Sequence, residues 1–259
     1  GVLVFGLVFS VQRTLSGLAI AVLIAIAPMI LFMIRPSKEF FVMLLTLVAL
    51  SVLCLRLPGG LRVMLVAGLY CVYAYYFRIY YYLIALGFVC LAVFVFLPRS
   101  WRPAAIVVAL LTLVLVPDSI FMATQGTRDA VNELRYATGD IGSRTAFINL
   151  LEPTNEISFI INYIYSIVRL NLAILFNLNL KELFLTVNVF VYAWLLYRGL
   201  HMDRTARLAA LLLLAHFMVL WLFEPDLGSY FRHLSSALVL LVPIMRRVEI
   251  DKVACLRKA

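Results

Sequence analysis

The chain has 259 residues, of which 65% are hydrophobic and 14% charged, with a mean hydropathy of +1.05. A soluble domain is usually about 45–50% apolar and about 25% charged, so too little polar surface is present to face water on all sides. A water-soluble globular domain is excluded, and the expected solvent is lipid.

In hydrocarbon every backbone group needs an internal partner, which leaves helices or closed barrels. The apolar runs are long and lack the period-two alternation of barrel strands, so an all-α, polytopic transmembrane bundle of about 8–10 spans is expected. Residues 1–12 read as a clipped first span and not as a signal peptide, because the chain opens at Gly1 inside an apolar run. Runs follow at 17–34, 39–57, 63–77, 79–97 and 103–122, then at 157–176, 183–199, 205–223 and 227–245. Three segments result: N-terminal spans over 1–122, a long loop over 123–182, and C-terminal spans with a basic tail over 183–259.

Arginine and lysine set orientation. "YRGLHMDRTAR" (197–207) and "MRRVEIDKVACLRK" (245–258) are basic and read as cytoplasmic, as do "LRLPGGLR" (55–62) and "LPRSWRP" (97–103). "FEPDLGSYFRH" (223–233) then falls on the outer face, and 123–182 is an outer loop whose run 157–176 is interfacial or re-entrant. Asn162, Ser166, Arg169 and Asn171 make that run too polar for a lipid-facing span. On the same count "RPSKE" (35–39) lands outside, against the charge rule.

Twelve of the thirteen acids lie after residue 117; only Glu39 precedes them, so the polar chemistry is concentrated at the C-terminal end. Counting back about 19 residues from Met245 starts the last span near Leu227, with Arg232 and His233 inside it. A charge at that depth usually faces the bundle interior or a wet cavity. Arg78 in "YYFRIYYY" reads as a snorkelling arginine in an aromatic belt. Mid-span His216 reads as a core histidine with a satisfied hydrogen bond. Cys54, Cys71 and Cys90 read as small buried hydrophobes, without metal spacing. No nucleotide-binding loop and no paired-carboxylate or HExxH metal pattern occurs, so neither a cofactor, a metal nor a nucleic-acid partner is expected.

"EPDLGSYFRHLS" (224–235) resembles a motif, roughly "EGNLGTAFRHKS", that precedes the final span of bacterial O-antigen or exopolysaccharide polymerase-like membrane proteins. "DIGSRTAFIN" (140–149) is similar to the Ser-Arg-Thr stretch of their long outer loop. Pro225-Asp226 stands where that family has Gly-Asn, and Leu234 where it has Lys. The resemblance implies a multi-pass protein of the bacterial inner membrane that joins polyprenyl-pyrophosphate-linked glycan units on the outer face, alongside other polysaccharide-assembly proteins. Arg232 and Arg144 would then bind the pyrophosphate, with Arg135 and Arg128 behind them. Glu224, His233 or Asp226 would act as base or orient the acceptor. Gly228 and Tyr230 would sit against substrate. Asp226 has a competing reading as the N-cap of the last helix. The alternatives are a transferase using a lipid-phosphate-sugar donor, a lipid-linked sugar transporter or flippase, and a non-catalytic subunit of a synthesis complex.

Overall fold

A computed structural model describes residues 6, 8–10, 12, 14–32, 38–137 and 146–256. Its described residues are helical, with no strand among them. The α-helices are α1 (Leu15–Phe32), α2 (Lys38–Cys54), α3 (Gly59–Tyr76), α4 (Tyr81–Phe96), α5 (Arg102–Val114), α6 (Asp118–Ala137), α7 (Glu156–Asn171), α8 (Leu180–Leu200), α9 (Arg204–Phe223), α10 (Leu227–Ser236) and α11 (Val242–Leu256). Short 3-10 turns lie at Arg99–Trp101, Ala173–Leu175 and Leu238–Leu241.

Among the described residues α8 and α9 are long and apolar enough to cross a membrane. Two bent pairs, Arg99–Val114 with Asp118–Leu134 and Leu227–Ser236 with Leu238–Asp251, raise the number to four if each is one broken span. By comparison α2 has 17 residues. At 1.5 Å per residue that covers about 25 Å, short of the roughly 30 Å of bilayer hydrocarbon.

Two runs expected to be continuous are broken. The run 103–122 stops at Val114, and the chain turns by 85° before α6. Pro117 explains this: it has no N–H to donate, and its ring pushes Val116 out of the helical region. The residues after it form a 20-residue helix where a loop was expected from 123 onward. The expected final span 227–245 bends by 58° between α10 and the 3-10 turn. Ser235 and Ser236 hydroxyls donate back to the Arg232 and His233 carbonyls at 2.7 and 2.6 Å, which bends a helix. Pro243 then removes the N–H that Val239 would have received. The freed Ser236 carbonyl accepts from the Thr46 hydroxyl at 3.1 Å.

The chain forms two compact units. One comprises residues 1–92, 187–217 and 232–259; the other comprises 93–186 and 218–231. In the first, α2 and α3 pack as neighbours, and α8 and α9 approach closely at Gly199. A Cβ there would lie 2.9 Å from Ala210 Cβ and 2.7 Å from Ile244 Cδ1. Near one end of α2, Arg62 donates to the Leu53 carbonyl (2.8 Å) and the Thr205 hydroxyl (3.3 Å). Asp203 pairs with Arg247 at 3.8 Å. These are the basic segments that the sequence assigns to one side.

In the second unit the non-helical backbone of 146–149 is held by side chains. Asn132 donates to the Phe147 carbonyl (2.8 Å), and Phe147 N–H donates to the Pro225 carbonyl (3.2 Å). Asp129 accepts from Asn149 N–H (2.8 Å). Buried non-helical backbone is stable only when its groups are satisfied in this way. The adjacent α7 starts with a capping box between Asn155 and Ser158. Its polarity is inverted: Ser158, Asn162 and Ser166 face inward, while Ile157, Ile160, Ile161 and Ile164 are exposed. The expected burial of the cysteines is corrected: Cys54 and Cys90 are exposed and Cys71 is partly so. Apolar side chains point outward throughout, from Met64 and Tyr75 to Leu115 and Phe190.

Candidate functional site

The first unit brings four polar side chains together at the end of α2 remote from Leu53. Glu39 lies in the first turn of α2, where a carboxylate favours the helix N-terminus. Arg78 lies in the turn between α3 and α4. That turn forms because Phe77 ends α3, stacking on Tyr73 at 4.9 Å and Phe41 at 5.5 Å. Arg232 and His233 come from α10.

Glu39 Oε1 is the centre of the group. It accepts from Arg78 Nη2 at 3.0 Å, lies 2.8 Å from His233 Nε2 and 3.5 Å from Arg232 Nε. Arg78 Nη1 also donates to Tyr80 Oη at 2.8 Å and lies 2.7 Å from His233 Nε2. Glu39 and His233 are buried. The Arg232 side chain is 42% exposed, against 17% for Arg78. One carboxylate thus faces two guanidiniums and an imidazole, and the Arg232 side chain is partly exposed at the edge of the group. A guanidinium fork binds oxyanions in bidentate fashion. In the same unit the fully buried Tyr70 hydroxyl lies 2.8 Å from His216 Nε2, which gives His216 the partner expected of it.

No family model, curated protein or solved structure matches the chain.

The remaining sequence-derived candidates fall as follows. Asp226 Oδ1 accepts from Ser229 N–H at 2.8 Å, which makes it the N-cap of α10. Glu224 is buried in the second unit. Gly228 follows the cap in the first turn of α10, with its Cβ position 3.1 Å from Asp226 Oδ1. The Tyr230 hydroxyl donates to Asn171 Oδ1 (2.9 Å) and receives Trp221 Nε1–H (3.2 Å). Arg128 is fully buried, clasping the Trp221 and Leu222 carbonyls at 2.6 and 2.7 Å and Asn149 Oδ1 at 3.0 Å. These bonds occupy carbonyls at the end of α9 that have no partner within the helix. Arg144, with Ser143, lies outside the described residues, as does the Arg135 side chain.

Sequence reasoning passed over Glu39 as a site residue and read Arg78 as snorkelling. Glu39 did carry a signal, as the only acid before residue 118. Among the described residues no cluster of metal-ligating side chains occurs.

Proposed function

We propose that the chain is a multi-pass membrane protein whose Glu39–Arg78–Arg232–His233 group receives the phosphate-bearing headgroup of a lipid-linked glycan. The observation that supports this reading is the convergence of two guanidiniums and an imidazole on Glu39, with the Arg232 side chain 42% exposed. In this reading the apolar helices α1–α4 add spans to α8 and α9, giving the bundle of about 8–10 crossings expected from hydropathy. Placement in a bacterial inner membrane rests on the resemblance of 224–235.

The reaction proposed is glycosyl transfer. A sugar hydroxyl attacks the anomeric carbon of a pyrophosphate-linked glycan. A new C–O bond forms, the C–O bond to phosphate breaks, and the lipid pyrophosphate leaves with the electron pair. Arg232 and Arg78 stabilise the leaving anion by charge already in place. His233, oriented by Glu39, takes the hydroxyl proton. The test is glycan chain length in cells carrying Arg232→Ala and Arg232→Lys at normal protein levels. The reading expects short glycan from Ala and partial rescue by Lys; wild-type polymer from both defeats it.

A second reading, transport of a lipid-linked sugar, draws on Tyr70 and His216, a polar pair fully buried between apolar helices. Ionisable residues inside spans mark substrate or proton paths. Glycan that stays on the inner leaflet in a His216→Ala strain would favour transport over polymerisation.

A further inference from the structure

Arg169 stands in the last turn of α7, one turn after Tyr165. Its guanidinium lies over three rings: Phe176 at 4.3 Å, Phe147 at 5.6 Å and Tyr165 at 5.9 Å. The rings contact one another, with Tyr165 5.7 Å from Phe147 and 6.5 Å from Phe176. They form a cage from α7, the 146–149 segment and the end of the 3-10 turn after α7.

Aromatic faces attract a guanidinium through its π-plane, leaving the N–H groups at its rim for an acceptor. Among the described residues nothing accepts from Arg169: it makes no hydrogen bond and no ion pair. Arg128 shares the Phe147 ring at 4.7 Å, and its Nε is buried without a hydrogen-bond partner. Ser166 Oγ, one turn before Arg169, is likewise buried without one. Two like charges thus share one ring; Asp129 and Glu224 act on Arg128 through space without an ion-pair contact, while the Arg169 guanidinium and Arg128 Nε are left with unengaged N–H donors that an oxyanion would complete. A half-buried guanidinium with unsatisfied donors is costly unless such a partner arrives.

We infer that Arg169, held by Phe147, Tyr165 and Phe176, is an anion-binding site for a phosphoryl group. The inference does not rest on the glycosyl-transfer reading, since the site is built from the second unit alone. The phosphoryl group has two sources, a free ion or a lipid headgroup. The exposed isoleucine face of the same helix gives a lipid headgroup a short route to it.

Two arms separate the sources. In neutral detergent, inorganic phosphate is titrated by calorimetry. In nanodiscs of phosphatidylcholine with or without phosphatidic acid, native mass spectrometry counts retained acidic lipid. Wild-type protein binds in at least one arm, and Arg169→Gln weakens that binding by about tenfold or more, as loss of a charge-assisted fork requires. Arg169→Lys keeps the charge but loses the fork and falls between the two. Phe176→Leu, which opens the cage and leaves the charge, also weakens binding, and serves if Arg169→Gln fails to fold by circular dichroism. Binding in the lipid arm only identifies a headgroup; binding in the phosphate arm identifies the free ion. Absence of binding in both arms, or wild-type affinity in folded Arg169→Gln, overturns the inference.

Discussion

Arg78 Nη1 lies 2.7 Å from His233 Nε2 across 155 positions of sequence, and the same nitrogen lies 2.8 Å from Glu39 Oε1. A single imidazole nitrogen cannot accept a proton from guanidinium and donate one to carboxylate at once. His233 Nε2 therefore hydrogen-bonds to only one of the two at a time. The contacts also place Glu39, at the start of α2, beside Arg232 and His233 of α10.

Removing the carboxylate should take away the acceptor on which the group converges. Glu39→Gln leaves Arg78 without its buried counter-charge and should destabilise by about 3–5 kcal/mol, the usual effect of breaking a buried pair. The Glu39→Gln/Arg78→Gln double variant should lose less than the sum of the single variants. Unfolding followed in detergent by denaturant titration measures both.

Arg128 should behave as a structural clasp. Arg128→Ala frees two α9 carbonyls and Asn149 Oδ1 in the interior, for a loss of about 3 kcal/mol or more. Arg128→Lys should recover only part of this, because an ammonium lacks the planar fork. A thermal unfolding series of the three proteins decides it, and equal melting points for Lys and Arg would count against the clasp.

The two readings of Asp226 are separable. Asp226→Asn keeps an N-cap acceptor, so stability should stay close to wild type, whereas Asp226→Ala should cost about 1 kcal/mol. If glycan synthesis is also normal in Asp226→Asn, the residue caps α10 and is not the base.

At Gly199, α8 lies close against Ala210 of α9 and Ile244 of α11. Gly199→Val should destabilise by about 1–3 kcal/mol through overpacking against Ala210 and Ile244. Pairing it with Ile244→Ala should recover part of the loss, measured as a shift in melting temperature.

The helical class and most helix positions were legible because long apolar runs leave few choices: 205–223 was expected and Arg204–Phe223 is found. The bend before Asp118 had a visible cause in Pro117, which run-length counting ignores. The bend after Ser236 depends on side-chain hydroxyls turning back on their own helix, a conformational choice that hydropathy does not encode. Asp226 as a cap was readable from its place before Leu227-Gly228. Glu39, Arg78 and His233 were readable as unusual residues but not as partners, because their contacts span distant helices. Arg169 shows the same limit: its cage joins residues 147, 165 and 176, and only the fold brings those rings together.

The most direct measurement is calorimetric titration of the detergent-solubilised protein with farnesyl pyrophosphate, a short lipid pyrophosphate, in wild type and Arg232→Ala. The account predicts binding to wild type and about tenfold or greater weakening in Arg232→Ala with helical content unchanged. Equal affinity in both proteins, or none in the wild type, would contradict it.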